Sequence, residues 1–169
     1  MKIAIVYDSV TGNTKLLADT IYEVCEGFDV SIYKEYCDEI LDADVIFVGS
    51  WTDKGEPSWK IKAVYDKLRG KKIFVFGTCG FGGSEEYYNR LFENTKKYIN
   101  DSNEILDYYF CPGKLSMSIK EKYEKMLEDK PNDQRILNMI DNFNKVLDSP
   151  NADDLDKLKE KVGRVIHEG

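Results

Sequence analysis

The segment Ser9-Val10-Thr11-Gly12-Asn13-Thr14 has the composition of an anion trap. Hydroxyls of Ser9, Thr11 and Thr14 can donate to phosphate oxygens, and a hydrogen bond to a charged oxygen contributes about 1.5–3 kcal/mol. Gly12 permits a left-handed backbone and a close approach of ligand to main chain. A helical pattern opens at Thr14, so the first free N–H groups and the helix dipole favour an anion at the same spot. No Lys or Arg is needed. The segment lacks the Gly-Lys-Ser/Thr of a nucleoside triphosphate loop and the G-x-G-x-x-G of dinucleotide folds. The bland alternative is a capped helix without a ligand.

Two more segments combine small residues, suited to close approach of a ligand to the backbone, with one aromatic each. They are Gly49-Ser50-Trp51-Thr52-Asp53-Lys54-Gly55-Glu56 and Gly77-Thr78-Cys79-Gly80-Phe81-Gly82-Gly83-Ser84. The four cysteines, Cys25, Cys37, Cys79 and Cys111, show no C-x-x-C spacing, and His167 is the single histidine. That set makes a zinc site improbable. Cys79 reads first as a small buried hydrophobe, with a redox-active thiol as the alternative. No catalytic constellation and no metal ligand set is expected.

The elements that must position these loops follow from the hydrophobic pattern. Residues 3–7, 45–48 and 73–76 are unbroken apolar runs, as in parallel strands covered on both faces. Residues 30–33 alternate and suit an edge strand, and 104–110 form a fifth candidate. Helical patterns fill the gaps at 14–26, 57–69 and from Ser84 to Ile99, with Gly27 and Gly70 as stops, Pro57 as a first helical residue and Ser84 as a cap. A short helical turn is expected near 35–41. The alternation predicts a doubly wound α/β fold of five parallel strands in the order 2-1-3-4-5. Beyond 110 no strand pattern remains, and helices are expected near 119–128, 133–147 and 152–167. The last covers the sheet. The others form a helical insertion at 112–150 in what is otherwise one domain, 1–169.

Composition narrows the function. A net charge of −7 argues against nucleic acid, which demands clustered Lys and Arg. It is compatible with a basic protein partner. No apolar run approaches the roughly 20 residues that span a bilayer. The opening apolar stretch meets Asp8 at once and reads as a buried strand rather than a signal peptide. Unpaired thiols then fit a cytoplasmic location.

Ser9-x-Thr11-Gly12-Asn13-Thr14 after a first buried strand resembles the phosphate loop of flavodoxins, which holds the 5′-phosphate of FMN. Phe76-Gly77-Thr78-x-Gly80-Phe81-Gly82 is the second most specific match. The resemblance covers about residues 1–110 and the final helix, while the insertion at 112–150 departs from it. It implies a flavodoxin-like fold and one noncovalent FMN. By the same resemblance the phosphate is held by Ser9, Val10, Thr11, Gly12, Asn13 and Thr14. The isoalloxazine ring lies among Ser50, Trp51, Thr52, Asp53, Lys54 and Gly55 on one loop, and Thr78, Cys79, Gly80, Phe81 and Gly82 on the other. Trp51 and Phe81 would stack on its two sides. In flavodoxins a carbonyl of the strand-three loop turns toward the flavin N5 proton, and Lys54–Gly55 is the matching peptide here.

The resemblance further implies an electron carrier, monomeric or weakly dimeric, serving a partner redox protein, either a reductase or an acceptor enzyme. Asp53, Glu56, Glu85 and Glu86 would lower the flavin potential and Lys54 would oppose them. An FMN-dependent NAD(P)H- or quinone-type reductase acting on a small substrate is the rival reading. A cofactor-free phosphoacceptor domain fits less well, because the place of its acidic residue after strand three holds Gly49-Ser50-Trp51.

Overall fold

The computed structural model describes residues 1–81 and 83–168. Its frame is five parallel strands: β1 (Lys2–Asp8), β2 (Asp29–Tyr33), β3 (Val45–Asp53), β5 (Lys72–Cys79) and β6 (Glu104–Pro112), in the spatial order β2-β1-β3-β5-β6. A two-residue strand, β4 (Glu56–Pro57), turns back antiparallel on the end of β3. Counting only the parallel strands, this is the expected order 2-1-3-4-5. Strand β2 occupies an edge, as expected, and its residues are half-buried or exposed on both faces.

Helices cover both faces. On one side α2 (Trp59–Lys67) and α3 (Glu85–Lys96) bury Ile61, Val64, Tyr65 and Leu91 against Val48, Ile73 and Val75 of the sheet. On the other, α1 (Asn13–Val24) and α6 (Ala152–Glu168) bury Leu17, Ile21, Leu158 and Val162 against Ile5, Phe47 and Phe74. Each such side chain gives about 1.5–3 kcal/mol on leaving water. Two further helices, α4 (Met117–Asp129) and α5 (Gln134–Lys145), form the expected insertion and pack on each other. Their buried Tyr123, Ile136 and Phe143 belong to neither main core.

Three local expectations are corrected. Pro57 is not the first residue of α2. It pairs with Thr52 in the β3–β4 hairpin, and Ser58 caps the helix by accepting from the Ile61 N–H at 3.4 Å. The turn near 35–41 is a 3-10 helix at Asp38–Asp42. The fifth strand runs beyond 110 to Pro112, with a bulge that leaves Leu106 out of the ladder against β5.

Candidate functional site

The three segments identified from composition all lie at the carboxyl ends of β1, β3 and β5, next to the switch point between β1 and β3 where ligands of open α/β sheets collect. Residues 49–53 and 77–79 are the last residues of their strands rather than loop. The turn after β1 is built for an anion. Gly12 caps α1 with φ 91°, a left-handed conformation that a side chain would strain. No side chain caps that helix end and its first turn carries no acid. The first intrahelical bond is from Leu16 N–H to the Gly12 carbonyl at 3.0 Å. The amides of Asn13, Thr14 and Lys15 therefore have no intrahelical acceptor.

The hydroxyls around this end are oriented by their own bonds. Ser9 Oγ accepts from Gly12 N–H at 3.1 Å, and Thr11 Oγ1 accepts from Asn13 Nδ2 at 3.0 Å. Each keeps its hydroxyl hydrogen to donate. Thr14 is turned inward, 1% exposed, and shares a 2.9 Å hydrogen bond with Thr78 Oγ1. The donor set thus suits a dianionic phosphate: open amides, hydroxyl hydrogens and a positive dipole end, with no carboxylate in the first turn of the helix.

A cavity of about 300 Å³ opens beside this turn. It brings together eight of the expected residues, Val10, Thr11, Asn13, Trp51, Thr52, Thr78, Cys79 and Gly80. Trp51 is fixed by its indole N–H, which donates to Asp8 Oδ2 at 2.9 Å. Thr52 Oγ1 donates to the Thr78 carbonyl at 2.8 Å, tying the two ring loops together. Cys79 is buried, and burial pushes its thiol up to about 12. It is neutral at ordinary pH and behaves as a packing group.

Other expected residues stand elsewhere. Ser50 is a brace: its hydroxyl donates to the Trp51 carbonyl at 2.6 Å and accepts from Ser58 N–H at 2.8 Å. Asp53, Lys54 and Gly55 make the tight β3–β4 turn, with φ 52° at Lys54 and 82° at Gly55. Positive φ at both central residues is the signature of a type I′ hairpin. Asn94 of α3 donates to the Gly55 carbonyl at 2.9 Å, so the hairpin leans on α3 rather than into the cavity. Glu56 is engaged by the Tyr98 hydroxyl and by Lys62 at 3.4 Å, and the Tyr98 bond chiefly holds its carboxyl below the usual range. Phe81 is 48% exposed and does not line the cavity. Gly82 lies outside the described residues.

Gly49 and Gly77 also have a different role from the close ligand approach expected of them. Each faces an aromatic on the neighbouring strand, Phe76 and Phe110 respectively. A Cβ on Gly49 would come within 2.1 Å of the Phe76 ring, and one on Gly77 within 2.6 Å of Phe110. These glycines make room for core rings.

The sequence reading missed the strap that follows β6. Gly113, Lys114, Leu115 and Ser116, with Ile119 of α4, complete the cavity lining. One signal was available: β6 ends at the same sheet edge as the other loops, which brings the residues after Pro112 to the site. A separate recess of about 320 Å³ beside the turn is lined by Ser9 and Gly12 together with Lys15, Lys34 and Lys60. Lys15 pairs with Asp19 at 2.7 Å.

Comparison with known proteins identifies a family for this fold. Residues 4–163 match a family model described as a flavodoxin domain. The chain is 33% identical to a flavodoxin-like domain-containing protein, BilS, of Clostridium symbiosum, over 92% of this chain and 90% of that one. Among solved structures it is similar to a flavodoxin of Streptococcus pneumoniae TIGR4, with TM-score 0.58, 19% identity and all of both chains covered. It is also similar to a flavoprotein of Lactobacillus acidophilus in complex with FMN, with TM-score 0.51 and 17% identity over 64% of this chain and 92% of that one.

Proposed function

The chain belongs to the flavodoxin family, and on that premise we propose that it holds one FMN without a covalent bond and passes electrons to a partner oxidoreductase. One observation carries the reading: an α1 end with no acid and no side-chain cap, ringed by hydroxyl donors, opens beside a cavity bordered by Trp51.

In this reading the amides of Asn13, Thr14 and Lys15 and the hydroxyls of Ser9 and Thr11 hold the terminal phosphate. Trp51, locked by Asp8, offers a flat apolar surface to the ring. Thr78, Cys79 and Gly80 line the cavity at the end of β5. When bound, the flavin supplies the redox chemistry, and the protein sets its potential.

Charge near the ring is the main lever. At an effective dielectric near 20, one carboxylate about 10 Å away opposes a new negative charge by about 1–2 kcal/mol. For a one-electron step that is on the order of tens of millivolts. Asp53, Glu85 and Glu86 act in this sense and Lys54 opposes them. Glu56 contributes less, because Lys62 offsets its charge. In the turn, Asn94 tethers the Gly55 carbonyl to α3 and the Lys54–Gly55 peptide does not line the cavity, so no contact with the flavin N5 is assigned to it.

The test is the visible spectrum of the protein as isolated, with mass identification of the released chromophore. The yellow flavin bands and the mass of FMN are expected. A colourless protein that ignores added FMN would overturn the reading. Anaerobic mixing of the holoprotein with NADPH separates a carrier, which stays oxidised without a partner, from a reductase, which bleaches at once.

A further inference from the structure

The strap between β6 and α4 is held against the cofactor loops more firmly than an incidental connection requires. Gly113 N–H donates to the Cys79 carbonyl at 2.9 Å. Asn13 Nδ2 donates to the Lys114 carbonyl at 2.9 Å, and Lys114 N–H donates to the Ser149 carbonyl at 2.9 Å. From α5, Asn142 Nδ2 donates to the Gly80 carbonyl at 2.7 Å. The fit is close. A Cβ on Gly113 would come within 2.5 Å of the Asn13 amide, and one on Gly80 within 2.4 Å of Leu115.

This places Lys114 beside the phosphate turn. It borders both the 300 Å³ cavity and a neighbouring one of about 230 Å³, and Thr11 and Asn13 border the same two. Lys114 enters no ion pair among the described residues. The turn itself has no cation inside its six residues, and Lys15, just beyond it, is paired with Asp19, while Lys34 and Lys60 border the separate recess shared with Asp8 and not the cavity that Trp51 borders. Leu115 and Ile119 border only the larger cavity, which Trp51 also borders. Because β5 lies between β3 and β6, Trp51 and the strap flank the end of β5 from its two sides.

We infer that the strap is part of the cofactor site: Lys114 supplies the positive charge for the phosphate, and Leu115 supplies the second apolar wall for the ring in place of Phe81. This rests on the FMN reading and adds two residues to it, with different signatures. Lys114 senses only the phosphate. Leu115 senses only the ring.

The experiment measures quenching of flavin fluorescence by cofactor-stripped protein, with FMN and with riboflavin, for the native chain, K114Q, K114R and L115A. In K114Q, FMN binding weakens about tenfold and riboflavin binding stays within about twofold, since a charged hydrogen bond is lost only for the phosphate. K114R restores FMN affinity. L115A weakens FMN and riboflavin by the same factor. FMN affinity unchanged in K114Q, or equal weakening of both flavins in it, overturns the Lys114 assignment. Unchanged affinities in L115A overturn the Leu115 assignment. Absence of FMN binding by the native chain would instead defeat the underlying reading.

Discussion

Thr14 Oγ1 lies 2.9 Å from Thr78 Oγ1, and this buried pair joins the first turn of α1 to the end of β5. It links the turn that opens α1 directly to the carboxyl end of β5. Thr14→Val keeps the shape and removes the hydroxyl, leaving Thr78 without that partner. Stability of the cofactor-free protein is expected to fall by about 1–3 kcal/mol in urea denaturation. Thr14→Ser, which keeps the bond, is expected to lose clearly less.

Two glycines separate strain from crowding. Gly12→Ala meets open space at φ 91° and is expected to cost about 1–2 kcal/mol, the penalty of a left-handed L-residue. Gly49→Ala has an ordinary backbone but drives a methyl into the buried Phe76 ring. It is expected to cost about 3 kcal/mol or more, because neither β3 nor β5 can shift freely. Thermal unfolding of the two variants should rank them in that order.

The thiols give a pH prediction. Burial raises Cys25 to about 11 and Cys79 to about 12 from an ordinary value of 9.0. An acid raised in the folded state binds its proton longer than in the unfolded chain. The folded state is then favoured fully below pH 9.0 and loses that advantage as pH rises toward about 11–12. Denaturation at a series of pH values should show stability declining above about 9. At pH 8 an aromatic disulfide reagent should label half-buried Cys37 readily, and Cys25, Cys79 and Cys111 only after unfolding.

Charges of both signs surround the site. Lys15, Lys34 and Lys60 border the recess beside the phosphate turn, and Glu85 and Glu86 open α3 after the β5 loop. Docking guided by such charges is screened by salt, with a Debye length of about 10 Å at 0.1 M. On the proposed reading, electron delivery to a redox partner should change several-fold between low and high ionic strength in stopped-flow mixing. A flat profile would argue against charge-guided docking.

Much of this site was legible because its chemistry is local in the chain. Ser9 to Thr14 and Gly49 to Glu56 each follow an unbroken apolar run, and a strand end fixes where the next residues emerge. What was not legible depends on neighbours remote in sequence. Lys114 and Leu115 read as part of an insertion, because their approach to Asn13 and Gly80 is set by the packing of β6 and α5. Gly49 and Gly77 read as ligand-facing until their register against Phe76 and Phe110 was known. Pro57 has the composition of a helix start, yet the Lys54-Gly55 turn captures it in a hairpin first. Phe81 has the right spacing for a ring partner and is nonetheless turned to solvent.

Calorimetric titration of the stripped protein with FMN tests the central claim most directly. One FMN per chain, bound more tightly than riboflavin, is the predicted result. No heat of binding from a cooperatively folded sample, or equal affinity for the two flavins, would contradict the role assigned to the turn that opens α1.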